Sequence, residues 1–283
     1  MVQKRPYGKK GELLSIIGFG GILVMNEEQR EANRRVAEAI DLGINYFDVA
    51  PSYGDAEDKL GPALRRKRKN IFLACKTMER TKEKAWEELQ NSLKKLETDY
   101  FDLYQLHAMT TEEDFQLATG PNGALETFVK AKKEGIIRYI GFSAHSVDVA
   151  LKLLDVFDFD SILFPINWVN FFNGNFGPQV VQKAQEKNVT ILALKAMAKT
   201  IIPEGQERKY PKCWYDPIDE KDLAQLALRF TLSQPVTAAI PPGEYKFFKW
   251  AIEVGENFTP ITVEELEILK QRAKNLEPIF KVS

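Results

Sequence analysis

Residues 43–54, Gly43-Ile44-Asn45-Tyr46-Phe47-Asp48-Val49-Ala50-Pro51-Ser52-Tyr53-Gly54, hold a short apolar run that takes in a carboxylate and breaks at a proline. Strict alternation of apolar and polar residues would mark a strand with one face in water. The near-continuous apolarity of 45–50 marks one buried on both faces, as in a parallel sheet. Outward from it, runs of the same kind recur at 14–20, 71–77, 102–108, 137–145, 161–167, 190–196 and 237–241, making eight.

The segments between these runs have helical periodicity. Asn26 is placed to cap a first helix, with Gln29 three residues on, Ala32, Val36 and Ala39 as its apolar stripe and Gly43 as its stop. Thr81 is placed to cap a helix carrying Ala85, Trp86, Leu89, Leu93 and Leu96 on one face. Pro178 suits a first helical turn before Val181 and Ala184, and Asp219 the cap of a helix carrying Leu223, Leu226, Ala227 and Phe230. Eight strand-and-helix units predict an α/β fold closed as a (β/α)8 TIM barrel, with residues 1–283 forming a single domain. Two pieces lie outside the count. Residues 5–15, turning at Tyr7-Gly8-Lys9-Lys10-Gly11, predict an N-terminal hairpin that plugs the barrel, and 260–276 an extra C-terminal helix. The stretch 199–217 is too long for a plain strand-to-helix connection and is expected to close over the site.

The 283 residues are 44% apolar and 28% charged, enough to build a sizeable core. Thirty-nine basic side chains against forty acidic ones leave a net charge of −1, so no global field draws the chain to nucleic acid or an anionic membrane. Two cysteines make no disulfide framework, the start MVQKRPYGKK lacks a signal peptide's apolar run, and no stretch approaches the ~20 apolar residues of a membrane span. The expected setting is a reducing cytoplasm.

Active sites of such barrels sit at the C-terminal ends of the strands, so the polar residues there are informative. Asp48, Lys76 and His107 each stand near the end of an otherwise apolar run, and Tyr53 follows the first of them. Taken singly they read as a turn cap, a solvated lysine, a hydrogen-bonded histidine and a packing aromatic. Together they make a proton-transfer set. A phenol of pKa ~10 gives up its proton more readily beside a cation, which Lys76 supplies. Asp48 keeps that ammonium in place and charged, and a neutral His107 hydrogen-bonds and orients a substrate carbonyl.

This chain resembles the aldo-keto reductase superfamily over nearly its whole length. Residues 43–54, continued by Glu57 and Leu60-Gly61, look like that family's signature around its catalytic aspartate and tyrosine, and Lys76 and His107 fall where it places its lysine and histidine. The resemblance implies a catalytic tetrad of Asp48, Tyr53, Lys76 and His107 and a barrel that binds NADPH in an extended pose and reduces aldehydes or ketones to alcohols. Gly18-Phe19-Gly20-Gly21 is no dinucleotide fingerprint, since Leu23 takes the place of a third glycine. In the family that loop passes beside the cofactor, which gives Gly20 and Gly21 a role there.

The remaining cofactor contacts carry over with departures. Ser143 matches a serine that holds the nicotinamide carboxamide, but Ala144-His145 replaces the usual asparagine. Asn167 stands where glutamine is common, and Lys195-Ala196-Met197-Ala198 where a stacking aromatic is often found. Ile240-Pro241-Pro242-Gly243 resembles the phosphate-binding turn, with Lys246 and Lys249 to meet the adenosine 2′-phosphate and Glu253 in the place of an adenine-contacting asparagine. Glu244 beside that phosphate would repel it, so the expected NADPH has NADH as its alternative.

Two other classes compete. A nicotinamide-binding, redox-sensing regulatory subunit with little turnover is one. A metal-dependent hydrolase is the other, disfavoured by a chain with two histidines, no His-x-His pair and no cysteine beyond Cys213 for an iron–sulfur tail; no metal ligands are expected. The expected partner is a small-molecule carbonyl substrate, with Trp168, Phe171, Phe172, Trp214 and Tyr215 as an apolar pocket lining or as ordinary packing. A monomer is the usual state of similar barrels.

Overall fold

In the computed structural model, which describes residues 1–282, β1 (Lys4–Tyr7) and β2 (Glu12–Ser15) form an antiparallel hairpin. The barrel strands follow: β3 (Phe19–Gly20), β4 (Tyr46–Asp48), β5 (Phe72–Thr77), β6 (Phe101–Met109), β7 (Ile137–Ala144), β8 (Ser161–Pro165) and β9 (Thr190–Leu194). After a separate antiparallel pair, β10 (Ala198–Thr200) with β11 (Asp216–Pro217), comes the eighth, β12 (Ala238–Ile240). All neighbours in the eight-stranded sheet are parallel and run in chain order, and a bridge between Ile17 and Ala239 joins the first strand to the last. The expected (β/α)8 barrel is therefore present and closed.

Helices wrap it: α1 (Gln29–Asp41), α2 (Ala56–Leu64), α3 (Lys82–Lys95), α4 (Glu112–Thr119), α5 (Ala124–Lys133), α6 (Val147–Val156), α7 (Trp168–Asn173), α8 (Pro178–Glu186), α9 (Lys221–Leu232), α10 (Tyr245–Glu256) and the extra α11 (Val263–Ala273). α1 buries Ala32, Val36 and Ala39, the stripe read from the sequence. No helix among the described residues is long and apolar enough to cross a membrane.

Some local expectations shift. Asn26 takes a positive φ of 61° and donates its backbone N–H to Asp55 (2.7 Å), and the residue before α1 is Glu28. Asp219 is paired with Lys209 and Lys246, which leaves Glu220 to precede α9. The run 14–20 splits, its first residues completing the hairpin and only Phe19–Gly20 entering the wall. Asn45 holds that division: its side chain accepts from the Ser15 N–H (2.7 Å) and donates to the Leu13 carbonyl (2.8 Å).

The hairpin inserts Tyr7, fully buried, against Phe72 and Tyr139, which stand at the starts of β5 and β7, and the Tyr7 hydroxyl bonds Ser161 at the start of β8 (2.9 Å). It therefore plugs the N-terminal end of the barrel and leaves the opposite mouth to chemistry. Beside it, buried Asp102 accepts from Arg68 (2.9 Å), Arg138 (2.6 Å) and the Leu73 N–H (2.9 Å), while Arg68 also donates to the carbonyls of Ile71 and Tyr100. Removing one partner of such a network strands the other without water. Asp102→Ala is expected to cost about 3 kcal/mol of stability, read as a lower urea midpoint; an unchanged midpoint would mean that water reaches Arg68.

Candidate active site

Asp48 closes β4 and Lys76 is next to last in β5, so both side chains emerge where the strands end. Lys76 is fully buried; its ammonium is ion-paired to Asp48, donates to the Val49 carbonyl (3.3 Å) and lies 3.4 Å from the Tyr53 hydroxyl. The second Asp48 oxygen accepts from Tyr46 (3.3 Å) and Gln105 (3.4 Å). Burial opposes the charge on Lys76, but Asp48 and Tyr53 more than offset it and hold the ammonium at about 12. Tyr53 sits in the turn after β4, its N–H bonded to the Ala50 carbonyl (3.0 Å). Burial raises its pKa and Lys76 pulls the other way without overcoming it, so the phenol stays protonated, contrary to the simple expectation that the lysine would draw it down.

His107 owes its placement to a bulge. The pairing of β6 with β7 shifts between Leu106 and Met109, and Ala108 adopts a positive φ of 52°, a conformation costing an L-residue roughly 1–2 kcal/mol. The bend is held by the Ala108 N–H on the Ser143 hydroxyl (2.8 Å) and by Arg80 on the His107 carbonyl (2.7 Å). The imidazole stands edge-on to Tyr53 with ring centroids 5.8 Å apart, and its buried Nδ1 has no hydrogen-bond partner among the described residues. Burial, with Lys76 and other cations adding to it, lowers its pKa to about 2. The ring is neutral throughout the physiological range. The four predicted residues thus converge on one mouth.

The predicted cofactor residues divide. Gly20, Lys195 and Gly243 line the same cleft as Tyr53, together with Trp214 and Tyr215. A Cβ on Gly243 would run into Ile22, and one on Gly21 would come within 2.8 Å of Val49, so both positions need glycine for the close packing of this rim. Ser143 is buried at the mouth and retains its hydroxyl proton for a further acceptor while holding Ala108. Asn167 is spoken for: its oxygen accepts from Val169 and Asn170 at the start of α7, and its nitrogen donates to the Lys195 (3.0 Å) and Ala198 (2.8 Å) carbonyls. Lys246 is paired with Asp219, and Glu253 is engaged by Lys221 (2.7 Å) and Gln225 (2.9 Å). Lys249, exposed on α10, has no carboxylate partner among the described residues. Glu244 turns to the backbone N–H of Lys212 (3.1 Å).

The loop 199–217 does reach the cleft. Lys212 ties it down through Glu27 (2.7 Å) across the mouth. Of the five aromatics expected to line a pocket, Trp214 and Tyr215 do so; Trp168 is fully buried and Phe171 and Phe172 pack on Phe230. Gln105 and Tyr46 went unread, although each stands two positions before a mouth residue on its strand and so shares its face. The C-terminal tail gave no signal: Phe280 stacks on His145 (5.0 Å) and meets Trp214 (5.8 Å), which carries the tail over the mouth. Among the described residues no group of three or more His, Cys, Asp or Glu could hold a metal ion.

Known proteins resemble this chain in sequence and fold. Residues 16–246 match the sequence profile of the Aldo/keto reductase family. The uncharacterized oxidoreductase YqkF of Bacillus subtilis is 26% identical, with 99% of each chain covered. L-galactose dehydrogenase of Arabidopsis thaliana is 24% identical over 98% of this chain and 93% of its own. Among solved structures, aldo-keto reductase AKR11C1 from Bacillus halodurans in its holo form superposes with a TM-score of 0.77, at 26% identity and 99% coverage of both chains.

Lys76→Met would leave the buried Asp48 carboxylate unpaired and is expected to destabilise the fold by about 3 kcal/mol, whereas Asp48→Asn combined with Lys76→Met should recover part of that loss. Urea denaturation of the two single variants and the double variant measures the coupling; strictly additive losses would mean that the pair is not an energetic unit.

Proposed function

The chain belongs to the aldo/keto reductase family, and from that premise we propose that it reduces aldehydes or ketones to alcohols with NADPH, Tyr53 donating the proton. The observation that carries this reading is the Lys76 ammonium held between Asp48 and the Tyr53 hydroxyl beside a neutral histidine. The cleft fits a nicotinamide cofactor: Gly20, Ile22 and Gly243 line it beside Tyr53, and Ser143 has a donor to spare. Bound there, the reduced nicotinamide supplies a hydride to the carbonyl carbon.

Tyr53 passes its phenolic proton to the carbonyl oxygen, and the buried ammonium of Lys76 stabilises the phenolate left behind. Asp48 keeps that ammonium from losing its own proton instead. His107, neutral, offers a ring N–H that fixes where the carbonyl oxygen sits. For the adenosine end, Lys249, which has no carboxylate partner among the described residues, is the cation to meet a 2′-phosphate, and Glu244, whose charge would favour NADH, turns its carboxylate to the backbone N–H of Lys212. The unit of activity in this proposal is the whole barrel, residues 1–283, acting as a monomer.

Tyr53→Phe should lower turnover roughly 10²–10⁴-fold while cofactor affinity stays nearly constant, as followed by nicotinamide absorbance and by fluorescence titration. Turnover that survives this change would remove Tyr53 from the mechanism. Lys249→Ala should weaken NADPH about tenfold and NADH far less; equal weakening would put the 2′-phosphate elsewhere.

A further inference from the structure

Among the described residues, Lys195 is a cation of this mouth with no carboxylate partner. It follows β9 directly, lines the cleft shared with Tyr53, and lies over the rings of Trp214 (4.9 Å) and Tyr215 (6.0 Å). Among the described residues no carboxylate pairs with it, in contrast to Lys76 on Asp48, Lys212 on Glu27 and Lys246 on Asp219. Its backbone is held at a φ of 63°, a region that favours glycine and is costly for a long side chain. That conformation is fixed by two donors on the Lys195 carbonyl, the Asn167 amide and the Ala198 N–H, both at 3.0 Å. A strained backbone, secured by a buried amide, therefore presents an ammonium group to the substrate space, and no carboxylate among the described residues neutralises it.

We propose that Lys195 is a specificity-determining residue that binds a carboxylate on the substrate, so that the preferred carbonyl compounds are aldehyde or keto acids; this rests on the carbonyl-reduction reading above. The charge surrounding it selects the class. Lys76 on β5 repels it, the histidines near it, His107 on β6 and His145 just after β7, are neutral, and Cys213 on the loop is a protonated thiol. Among the described residues the cleft lining offers one ammonium without a carboxylate partner and no arginine fork, which matches a monoanion better than a phosphate dianion. Burial, reinforced by Lys76, lowers the Lys195 pKa to about 7. A bound carboxylate would restore its charge, so acidic substrates should lose affinity as the pH rises above that value.

The test compares kcat/KM for 4-carboxybenzaldehyde and succinate semialdehyde with that for their uncharged counterparts 4-nitrobenzaldehyde and butanal, at saturating NADPH. In Lys195→Met the acid-to-neutral ratio should fall roughly 10- to 100-fold, mostly through KM, and Lys195→Arg should restore part of it. A ratio that does not move overturns the proposal, and one that does not move while the KM for NADPH climbs returns Lys195 to the cofactor. If the wild-type protein reduces none of the four, the carbonyl-reduction reading falls on its own. The anion site is then judged by titrating benzoate against tryptophan emission. Quenching lost in Lys195→Met supports it, and an equal response in both proteins overturns it.

Discussion

An ammonium group and a carboxylate taken out of water together lose several kcal/mol of hydration each, and only close, fully hydrogen-bonded contact compensates for that. Lys76 and Asp48 meet the condition because the barrel wall supplies everything else they need: the Val49 carbonyl for the lysine, and Tyr46 and Gln105 for the second carboxylate oxygen. The arrangement requires β4, β5 and β6 to be in register and the mouth to be dry. Tyr53 and His107 then take their electrostatic character from it, the one a phenol next to a permanent cation, the other an imidazole that the same cation helps to keep neutral.

The barrel spends backbone strain at two places on this rim, Ala108 and Lys195, and in both a buried side chain holds the strained residue in place. Ser143 accepts from the first and Asn167 donates to the second. These two residues act through others: whatever either does for a bound molecule, each also sets the direction of a neighbour that faces the cleft. A barrel with regular strand ends would aim His107 and Lys195 elsewhere.

Much of this was legible in the sequence. Eight apolar runs separated by helical periodicity specify the barrel, and a polar residue near the end of an apolar run declares itself, which is why the sequence alone gathers Asp48, Lys76 and His107 to one mouth. Partnerships across long separations left no local trace. That Asn167 spends its amide on the carbonyls of Lys195 and Ala198, that Asp219 leaves its helix to neutralise Lys246, and that Phe280 returns to cover His145 all depend on tertiary approach. The short β3 was obscured for a related reason. Its run continues into the hairpin without a break in polarity, and only the side chain of Asn45 decides where one ends and the other begins.

Closure of the barrel joins residues near 17 to residues near 239, and that contact cannot form until the last strand has been made, while its long loop makes it slow to form even then. During synthesis the early strands carry an unpaired edge until the last strand has left the ribosome, a period in which apolar, hydrogen-bond-hungry backbone is open to wrong partners. The plugging hairpin bears on this, since Tyr7 needs Phe72, Tyr139 and Ser161 but not β12. It gives the nascent sheet a packed floor about eighty residues before its final strand emerges, so that the open edge belongs to a curved, half-built barrel rather than to a loose set of strands.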